Sequence, residues 1–501
     1  MNARITRLGI FLTVCYVLLF IQLNRVQVLN RDELTGHPAN TRSIVRDFDR
    51  PRGSIVSADG ALLAESVEMP EDSRFERLRR YPEAELFAQV TGFFSFQFGA
   101  TGVEDEYNDV LAGDTLEQDI RGLTDIFVAR ENVGDVTVTV RKDAQEAARE
   151  ALGTQEGSVV ALDPRTGEIL AFWSFPSYDP NLLASHDTAA ARADRDALLA
   201  APGKPLQAHQ YQEIYFPGST FKVVTGSIGL ETGTVTVDDP SFPVESSFTP
   251  PQTTTPLRNF GGNRCGGTLF TVLASSCNTA FARMAIEIGP DDMIAGSERF
   301  GFNNEPPIDL PAPATSVFPT DFTDNLPKLA QAGIGQGDVS ASPLQMAMVA
   351  AAIANDGKVM APHVLDEVSD PDGDVFSTYE NAVWTEATSE ETAATMREAM
   401  RGVVADGTAD GLAIEGFEVG GKTGTAQLGT DPPSSHAWII GFAGLPGQPP
   451  SVAISVIVKG QPGVSEVTGG RVAAPIARAV MEVILAAQEA DGSAGEGGDG
   501  G

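Results

Sequence analysis

The chain has 501 residues, of which 42% are hydrophobic and 20% are charged, and its formal net charge is −34. This length and apolar content are sufficient for a folded core. The charge excludes a nucleic-acid-binding role, because a phosphate backbone would be repelled. Residues 1–52 differ from the rest: they contain eight arginines and four acidic residues, so the remainder carries a net charge of −38.

An apolar segment is the first element of the chain. Leu8 to Leu23 contains no charged residue and lies between Arg7 and Arg25. A helix of this length measures about 24 Å, slightly less than a bilayer core, and snorkelling of the flanking arginines would extend it. We expect a cytoplasmic tail at residues 1–7, an uncleaved single-pass anchor in the cell membrane at residues 8–23, and an extracellular location for the rest. A cleaved signal peptide is the alternative.

Residues 24–140 form the next region, which is rich in charged residues and interrupted by proline and glycine. Short extended runs at Ser54–Val56, Phe93–Phe98 and Val136–Val140 predict a loosely built, β-rich domain. We expect this domain to act as a pedestal that lifts the following region off the membrane.

A larger domain is predicted at residues 141–487. Strand-like segments lie near both of its ends, at Ser158–Asp163, Glu168–Trp173, Glu418–Gln427, Ala437–Ala443 and Val452–Val458. The chain between them is mostly helical in pattern, most plainly at Leu344–Ala354, and a last helix is predicted over Val472–Ala487. An antiparallel five-stranded sheet with helices inserted between its strands makes an α+β fold. Residues 488–501 are acidic and glycine-rich and are predicted to be disordered.

Three short motifs carry the chemistry: Ser219-Thr220-Phe221-Lys222, Ser276-Cys277-Asn278 and Lys422-Thr423-Gly424-Thr425. They supply a hydroxyl nucleophile, an amine one helical turn away, a second hydroxyl with an amide, and a further ammonium group. A lysine acts as a base only when neutral, and lowering its pKa from about 10.4 to about 7 requires roughly 4–5 kcal/mol. Burial and a second cation, here Lys422, both act in that direction. These functional groups are suited to acyl transfer through a serine ester, without a diffusible cofactor.

No metal site is predicted, because the five histidines are scattered without the spacing of metal ligands. Each of the three motifs is weak by itself. Their conjunction is informative, since two of only seven lysines in the chain lie within them.

The combination resembles class B penicillin-binding proteins, the monofunctional peptidoglycan D,D-transpeptidases, and among these the short actinobacterial subgroup. The resemblance covers about residues 40–487. Further matching segments are Arg52-Gly53-Ser54-Ile55, Thr101-Gly102-Val103-Glu104, Gly335-Gln336-Gly337 and Thr468-Gly469-Gly470. One departure is the stretch from Val56 to Gly60, where the family usually has Asp-Arg before the next glycine. The resemblance implies the fold of the serine penicillin-recognising enzymes for residues 141–487.

The same resemblance implies a role for each catalytic residue. Ser219 would attack the carbonyl of the penultimate D-alanine, and Lys222 would take the serine proton. Ser276 would relay a proton to the leaving nitrogen, Asn278 would offer its amide to the substrate backbone, and Lys422 would supply a positive field.

Substrate-binding roles are implied for the strand that follows Lys422. Thr423 and Thr425 would donate to the terminal carboxylate of the substrate, while Gly424 would leave room for the substrate beside the strand. The backbone N–H groups of Ser219 and Thr425 would form the oxyanion hole.

The implied function is cross-linking of peptidoglycan stem peptides, on a lipid-linked precursor or on nascent glycan, with β-lactams acylating the same serine. A D,D-carboxypeptidase or β-lactamase is the first alternative, and a β-lactam sensor or inactive scaffold is the second. Residues 24–140 are too few for a glycan-polymerising domain, so we expect a separate membrane glycosyltransferase as partner. A role in cell shape and one in cell division are equally compatible with the sequence.

Two cysteines outside the predicted anchor lie close in sequence. Cys265 and Cys277 are twelve positions apart, and Cys277 belongs to the second motif. In an oxidising compartment they would form a disulfide that ties this motif to the preceding turn. Two buried free thiols are the equally weighted alternative.

Overall fold

The computed structural model describes residues 2–25, 48, 50–73, 75–115, 118, 133–430, 434–460 and 468–496. It divides into two compact units, one formed by Met1–Pro51 and Val67–Leu78 and the other by Arg52–Ser66 and Arg79–Gly501. Parts of the predicted pedestal (residues 26–47 and 119–132) and the last five residues of the predicted tail lie outside the described residues.

The strands of the described chain are numbered in order. They are Ile55–Ser57 (β1), Leu62–Glu68 (β2), Arg77–Arg80 (β3), Phe94–Ser95 (β4), Gly99–Ala100 (β5), Asp135–Val138 (β6), Gly157–Leu162 (β7), Ile169–Phe175 (β8), Phe242–Glu245 (β9), Ser247–Phe248 (β10), Leu257–Arg258 (β11), Cys265–Gly267 (β12), Lys358–Met360 (β13), Leu365–Ser369 (β14), Val375–Thr378 (β15), Val383–Glu386 (β16), Glu418–Gln427 (β17), Ser435–Gly444 (β18) and Val452–Val458 (β19).

The α-helices are numbered in the same way. They are Asn2–Asn24 (α1), Ala88–Thr91 (α2), Val103–Glu106 (α3), Asn108–Ala112 (α4), Lys142–Leu152 (α5), Asn181–Ala184 (α6), Thr188–Ala200 (α7), His209–Gln212 (α8), Lys222–Glu231 (α9), Leu269–Ala274 (α10), Asn278–Ile288 (α11), Pro290–Arg299 (α12), Leu326–Ala332 (α13), Pro343–Ala354 (α14), Glu390–Asp406 (α15) and Gly469–Glu496 (α16). Short 3₁₀ turns lie at Ala84–Leu86, Gly218–Phe221, Phe260–Gly262 and Asp410–Leu412.

The first unit contains helix α1, which includes the whole of the predicted anchor segment. Large apolar side chains of this helix are exposed, for example Phe11 at 63% and Leu19 at 61%. Within the described residues, no helix has the combination of length and apolarity needed to cross a membrane.

The central sheet of the second unit is five-stranded and antiparallel, in the order β17-β18-β19-β7-β8. Every residue of β18 and β19 is buried. Successive side chains of a strand point to opposite faces, so this burial means that both faces of the sheet are covered. Helices α14 and α16 each pack against β18 and β19. The five predicted strands and their antiparallel arrangement are present in the structure.

The start of the buried helix α14 is determined by its local sequence. The Ser342 hydroxyl accepts a hydrogen bond from the Gln345 N–H at 3.1 Å, and Pro343 occupies the first helical position. Both are helix-start signals, because the cap satisfies a free N–H and proline lacks one. All twelve residues of the helix are buried.

A second sheet has six strands in the order β15-β14-β6-β1-β2-β3. Strand β6 pairs in parallel with β1 and antiparallel with β14, with Val136 opposite Ile55 and opposite Val368. The N-terminal strands therefore share a sheet with two strands from residues 365–378. The chain between the terminal strand groups is mostly helical, as predicted, but residues 365–378 depart from that pattern by forming β14 and β15. These strands are short and β15 has no buried residue, so their sequence carries little strand signal.

A buried ionic cluster joins two of the matching sequence segments. The Glu104 carboxylate accepts hydrogen bonds from the Nε atoms of Arg52 and Arg79, both at 2.6 Å, and from the Tyr81 hydroxyl at 3.0 Å. Burial opposes ionisation of this carboxyl, but the two guanidinium groups outweigh burial and hold the pKa of Glu104 below its ordinary value. The cluster therefore holds the carboxylate in its charged form.

Removing this charge is expected to destabilise the fold strongly. Glu104→Gln leaves two guanidinium groups buried without their counterion, which typically lowers the free energy of unfolding by about 3–5 kcal/mol. Glu65→Gln is the matched control, because Glu65 pairs with the exposed Arg80 and such surface pairs contribute about 0–1 kcal/mol. Urea unfolding of both variants measures the difference, and equal midpoints would contradict the assignment.

The C-terminal helix corrects the predicted disorder for residues 488–496. Helix α16 begins at Gly469 and continues to Glu496, beyond the predicted end at Ala487. Adding residues to an existing helix costs much less free energy than starting one, so even the glycine-containing stretch after Ala490 extends it.

Candidate active site

Ser219 lies in the 3₁₀ turn Gly218–Phe221, which leads directly into α9. Gly218 has a φ of +55° and donates its N–H to the Gly335 carbonyl at 2.9 Å. A Cβ at Gly218 would lie 3.1 Å from the Thr425 carbonyl oxygen, so the turn and strand β17 approach each other closely. Glycine is needed here both for the left-handed backbone and for this approach.

The second motif forms the turn between α10 and α11. Ser276 has a φ of +54°, a conformation that is costly for a residue with a side chain and that is often found at functional sites. Of the two alternatives for the cysteines, the structure has the disulfide: Cys265 of β12 is bonded to Cys277. The Asn259 side chain also holds the turn, because its Oδ1 accepts the Thr279 N–H at 3.0 Å.

The disulfide is expected to brace this turn. A covalent link across such a loop typically stabilises a fold by about 2–4 kcal/mol. We expect the double variant Cys265→Ser/Cys277→Ser to lose stability of this order, measured by urea unfolding, with Cys15→Ser as the matched control. Thiol labelling of the denatured, unreduced protein should find one of its three cysteines, and labelling of all three would contradict the assignment.

Lys222 connects the first two motifs. Its Nζ lies 3.0 Å from Ser219 Oγ, 2.7 Å from the Ser276 carbonyl oxygen, 3.3 Å from Ser276 Oγ and 2.6 Å from Asn278 Oδ1. Its side chain is fully buried. Carbonyl oxygens can only accept hydrogen bonds, so a neutral amine would direct its two N–H groups to Ser276 and Asn278. Its lone pair then faces a hydroxyl, which is the arrangement that a base requires.

Lys422 approaches the same hydroxyl from strand β17. Its Nζ donates to Ser276 Oγ at 2.8 Å and to the Thr423 carbonyl oxygen at 2.9 Å. Ser276 Oγ therefore lies between the two lysines and can pass a proton in either direction.

The pKa values of Lys222 and Lys422 are both lowered, but by different causes. Burial, followed by the charge of Lys422, holds the pKa of Lys222 well below its ordinary value. Burial alone lowers the pKa of Lys422 to about 7. Near neutral pH, Lys222 is therefore the neutral member and Lys422 carries the remaining proton for part of the time.

These directions predict a bell-shaped pH profile for acylation. The rate falls on the acid side as Lys222 gains a proton, and on the alkaline side above about 7 as Lys422 loses its charge. The second-order rate constant for benzylpenicillin, measured between pH 5 and pH 10, reports the free enzyme. Lys422→Arg should shift the alkaline limb of the profile to higher pH, because arginine keeps its proton. A limb that stays in place would contradict the role of Lys422.

Thr423 and Thr425, the residues expected to bind the substrate carboxylate, line the same open groove as Ser219. The structure adds a partner that sequence reasoning missed: Thr408 Oγ1 lies 2.6 Å from Thr423 Oγ1. Thr408 belongs to no motif and precedes the strand by ten residues, so only the folded structure brings it to the site.

The predicted reason for Gly424 is wrong. A Cβ on Gly424 would lie 2.9 Å from the Pro217 carbonyl oxygen and 3.0 Å from both Thr220 Cγ2 and Trp438 Cβ. Side chains alternate along a strand, so Gly424 points away from the groove that Thr423 and Thr425 line. The glycine makes room for the turn that carries Ser219.

An open groove with a volume of about 1170 Å³ exposes these groups. Its lining residues include Ser219, Ser276, Asn278, Thr423 and Thr425. The rest come from segments within residues 250–265, 275, 327–337, 408–410, 427 and 468–471. Within the described residues, no group of three or more His, Cys, Asp and Glu side chains could hold a metal ion.

Sequence comparisons identify two regions of the chain. Residues 157–482 match the penicillin binding protein transpeptidase domain, and residues 52–136 match the penicillin binding protein A dimerisation domain. Peptidoglycan D,D-transpeptidase PbpA of Mycolicibacterium smegmatis is 39% identical, and the alignment covers 97% of this chain and 99% of the relative. PbpA of Mycobacterium tuberculosis H37Rv is 38% identical with the same coverage.

A solved structure has the same fold. The ceftriaxone acyl-enzyme complex of penicillin-binding protein A from M. tuberculosis superposes with a TM-score of 0.81 and 37% identity. The match covers 88% of this chain and all of that chain.

Proposed function

This chain belongs to the penicillin-binding protein transpeptidase family and is a peptidoglycan D,D-transpeptidase, and we propose that it works through Ser219 with Lys222 as its base. The observation that carries the proposal is the set of contacts around Lys222 Nζ. Two carbonyl oxygens engage its N–H groups, and Ser219 Oγ lies 3.0 Å away as the hydrogen-bonding hydroxyl.

Acylation proceeds in one addition and one elimination. Ser219 Oγ adds to the carbonyl carbon of the penultimate D-alanine while its proton passes to Lys222. The Ser219 N–H belongs to the first turn of a helix, where it has no intrahelical partner, and with the Thr425 N–H it stabilises the oxyanion. The peptide C–N bond then breaks, and Ser276 delivers a proton to the departing D-alanine. Lys222 restores the Ser276 proton with the one it took from Ser219.

The acyl-enzyme is resolved by an amine of a neighbouring stem peptide. The amine adds to the Ser219 ester, its proton returns through Lys222 to the serine oxygen, and the new amide is the cross-link. Removing one oxyanion donor in such a site typically reduces the rate about 100- to 1000-fold.

The substrate is positioned by the side-chain amide of Asn278 and the hydroxyls of Thr423 and Thr425. Asn278 Nδ2 donates one N–H to the Arg258 carbonyl oxygen at 2.9 Å, which leaves its second N–H for the substrate backbone. The hydroxyls of Thr423 and Thr425 bind the terminal carboxylate. A β-lactam carries a carboxylate and a strained amide in the same places, so it acylates Ser219 in the same way.

An assay with stem peptides tests the reaction type. Purified enzyme is incubated with donor and acceptor stem peptides, and cross-linked product and free D-alanine are measured together. Cross-linking is expected to account for most of the turnover. Release of D-alanine without cross-linking would favour the carboxypeptidase alternative.

We propose further that α1 tethers the enzyme to the membrane and that a separate membrane glycosyltransferase works beside it. The support is the uncharged run Leu8 to Leu23 and the exposure of its apolar side chains. The apolar Val26 and Val28, which would lengthen the segment, lie outside the described residues. A tether of this kind places the catalytic domain outside the cell, where peptidoglycan is cross-linked.

Replacing residues 8–23 by an unrelated membrane span tests both parts of this proposal. Packing of helices in lipid depends on shape, so the exchanged anchor should keep the protein in the membrane fraction and lose the partner in co-purification. Unchanged co-purification would contradict a partner contact through the anchor. Recovery of the native protein in the soluble fraction would contradict the tether.

A further inference from the structure

The charge of the active-site groove is opposite to that of the protein. The chain carries a net charge of −34, yet the charged residues among the described groove-lining residues are Arg258, Arg264, Arg471 and Asp410. Three arginines and one aspartate give the groove a positive potential that attracts carboxylates.

The three arginines differ in their surroundings. Arg471 follows Gly470, at which a Cβ would lie 3.6 Å from Thr423 Cγ2, so Arg471 belongs to the side of the groove that binds the terminal carboxylate. Arg264 donates to the Val244 carbonyl oxygen at 3.0 Å. No hydrogen bond or ion pair of the Arg258 guanidinium group is present in the described part of the chain, and this side chain is exposed in the groove.

The backbone beneath Arg258 is fixed, although its side chain is exposed. Its carbonyl oxygen accepts the Asn278 amide, and Arg258 pairs with Ser247 in a two-stranded ribbon. The next residue, Asn259, is buried, and its amide donates to the carbonyl oxygens of Glu245 and Asn263. The guanidinium group is therefore presented from a rigid base, which reduces the entropy lost when it binds a ligand.

The nearby acidic residue Glu245, which ends strand β9, is already paired. The Glu245 carboxylate accepts hydrogen bonds from Arg283 at 2.9 and 3.2 Å, and the Arg283 guanidinium lies 3.9 Å from the Phe248 ring centre. Arg258 is left to bind an anion from outside the chain.

We propose that Arg258 is a specificity-determining residue that binds a second carboxylate of the donor peptide, on a residue upstream of the two D-alanines. This inference rests on the proposed function. The terminal carboxylate lies at Thr423 and Thr425, the scissile carbonyl lies at Ser219, and the peptide then continues towards Asn278, whose side chain touches Arg258. A planar guanidinium group binds a carboxylate through two parallel hydrogen bonds, and it binds a neutral carboxamide less strongly.

The test uses the full-length enzyme and two synthetic peptides that end in D-Ala-D-Ala. They differ only at the side chain of the preceding residue, which carries a carboxylate in one and a carboxamide in the other. A charge-assisted hydrogen-bonded pair predicts about a tenfold or larger preference for the carboxylate in kcat/KM, mainly through KM. Arg258→Ala should abolish the preference and Arg258→Lys should keep part of it. Arg192→Ala, which removes the same charge from the exposed surface of α7, should leave it unchanged.

Two further measurements separate this inference from the function on which it rests. Benzylpenicillin should still label Ser219 of Arg258→Ala stoichiometrically, because that compound lacks the upstream carboxylate. Titration of both peptides into Ser219→Ala gives their dissociation constants without turnover, and the carboxylate peptide should bind about tenfold more tightly. Equal affinities, or a preference that survives Arg258→Ala, would overturn the inference even if both peptides were turned over. A binding preference without turnover would support it and count against the proposed function.

Discussion

Ser219→Ala is expected to abolish covalent labelling by benzylpenicillin. The acyl-enzyme is an ester of the Ser219 hydroxyl, and the variant has no oxygen at that position. Lys222, the disulfide and the groove should stay in place. Of the four contacts of Lys222 Nζ, the substitution removes only the partly buried one to Ser219 Oγ at 3.0 Å. Mass spectrometry of the intact protein and of its peptides gives the extent and position of labelling.

Ser275→Ala is the matched control for this experiment. Ser275 is close to the site in sequence and lines the same groove, but its hydroxyl donates to the Thr271 carbonyl oxygen at 2.8 Å. It should be labelled at Ser219 to the wild-type extent. An adduct on any other residue, or stoichiometric labelling of the Ser219 variant, would refute the assignment of the nucleophile.

Lys222→Arg is expected to reduce the acylation rate by about 100- to 10,000-fold, the usual contribution of a general base. Arginine keeps its proton at all accessible pH values, so it cannot accept one from Ser219. Lys422→Arg should retain more of the rate, because the role of Lys422 is to supply positive charge rather than to lose a proton. Stopped-flow acylation by benzylpenicillin measures both variants.

Folding must be checked in both variants, because Lys222 and Lys422 are fully buried. Thermal unfolding of each shows whether the larger guanidinium group is accommodated. If both are folded and lose activity equally, the division of roles between the two lysines is wrong. Rescue of Lys222→Arg by raising the pH would also contradict it.

The catalytic motifs and the central sheet could be predicted from the sequence because each motif and each strand is a short, contiguous segment with its own pattern. Strand β17 has the predicted bounds, Glu418–Gln427, and β19 has the predicted Val452–Val458. The apolar run of β19 is continuous because both faces of the sheet are buried there. The catalytic motifs are short: the first leads into α9, the second leads into α11, and the third lies within β17.

Other features depend on contacts between distant segments and left no local pattern. Thr408 reaches Thr423 only because α15 returns to the sheet. Strand β15 is four residues long and none of them is buried, so its sequence is hard to distinguish from a loop. The sequence also could not show which neighbour requires a glycine at position 424, because a glycine in a strand has no side chain that indicates its packing partner.

The six-stranded sheet limits which gene segments related enzymes can exchange by recombination. Strands β1 and β6 come from residues before 141, whereas β14 and β15 come from residues 365–378. A hybrid that received only the N-terminal strands of a relative would place them against a β14 that evolved beside different neighbours. If the match failed, the unpaired edge of β14 would be open to pairing with another chain. Recombination is therefore expected to preserve both segments together, so that the inherited module is discontinuous in the gene although it is continuous in space.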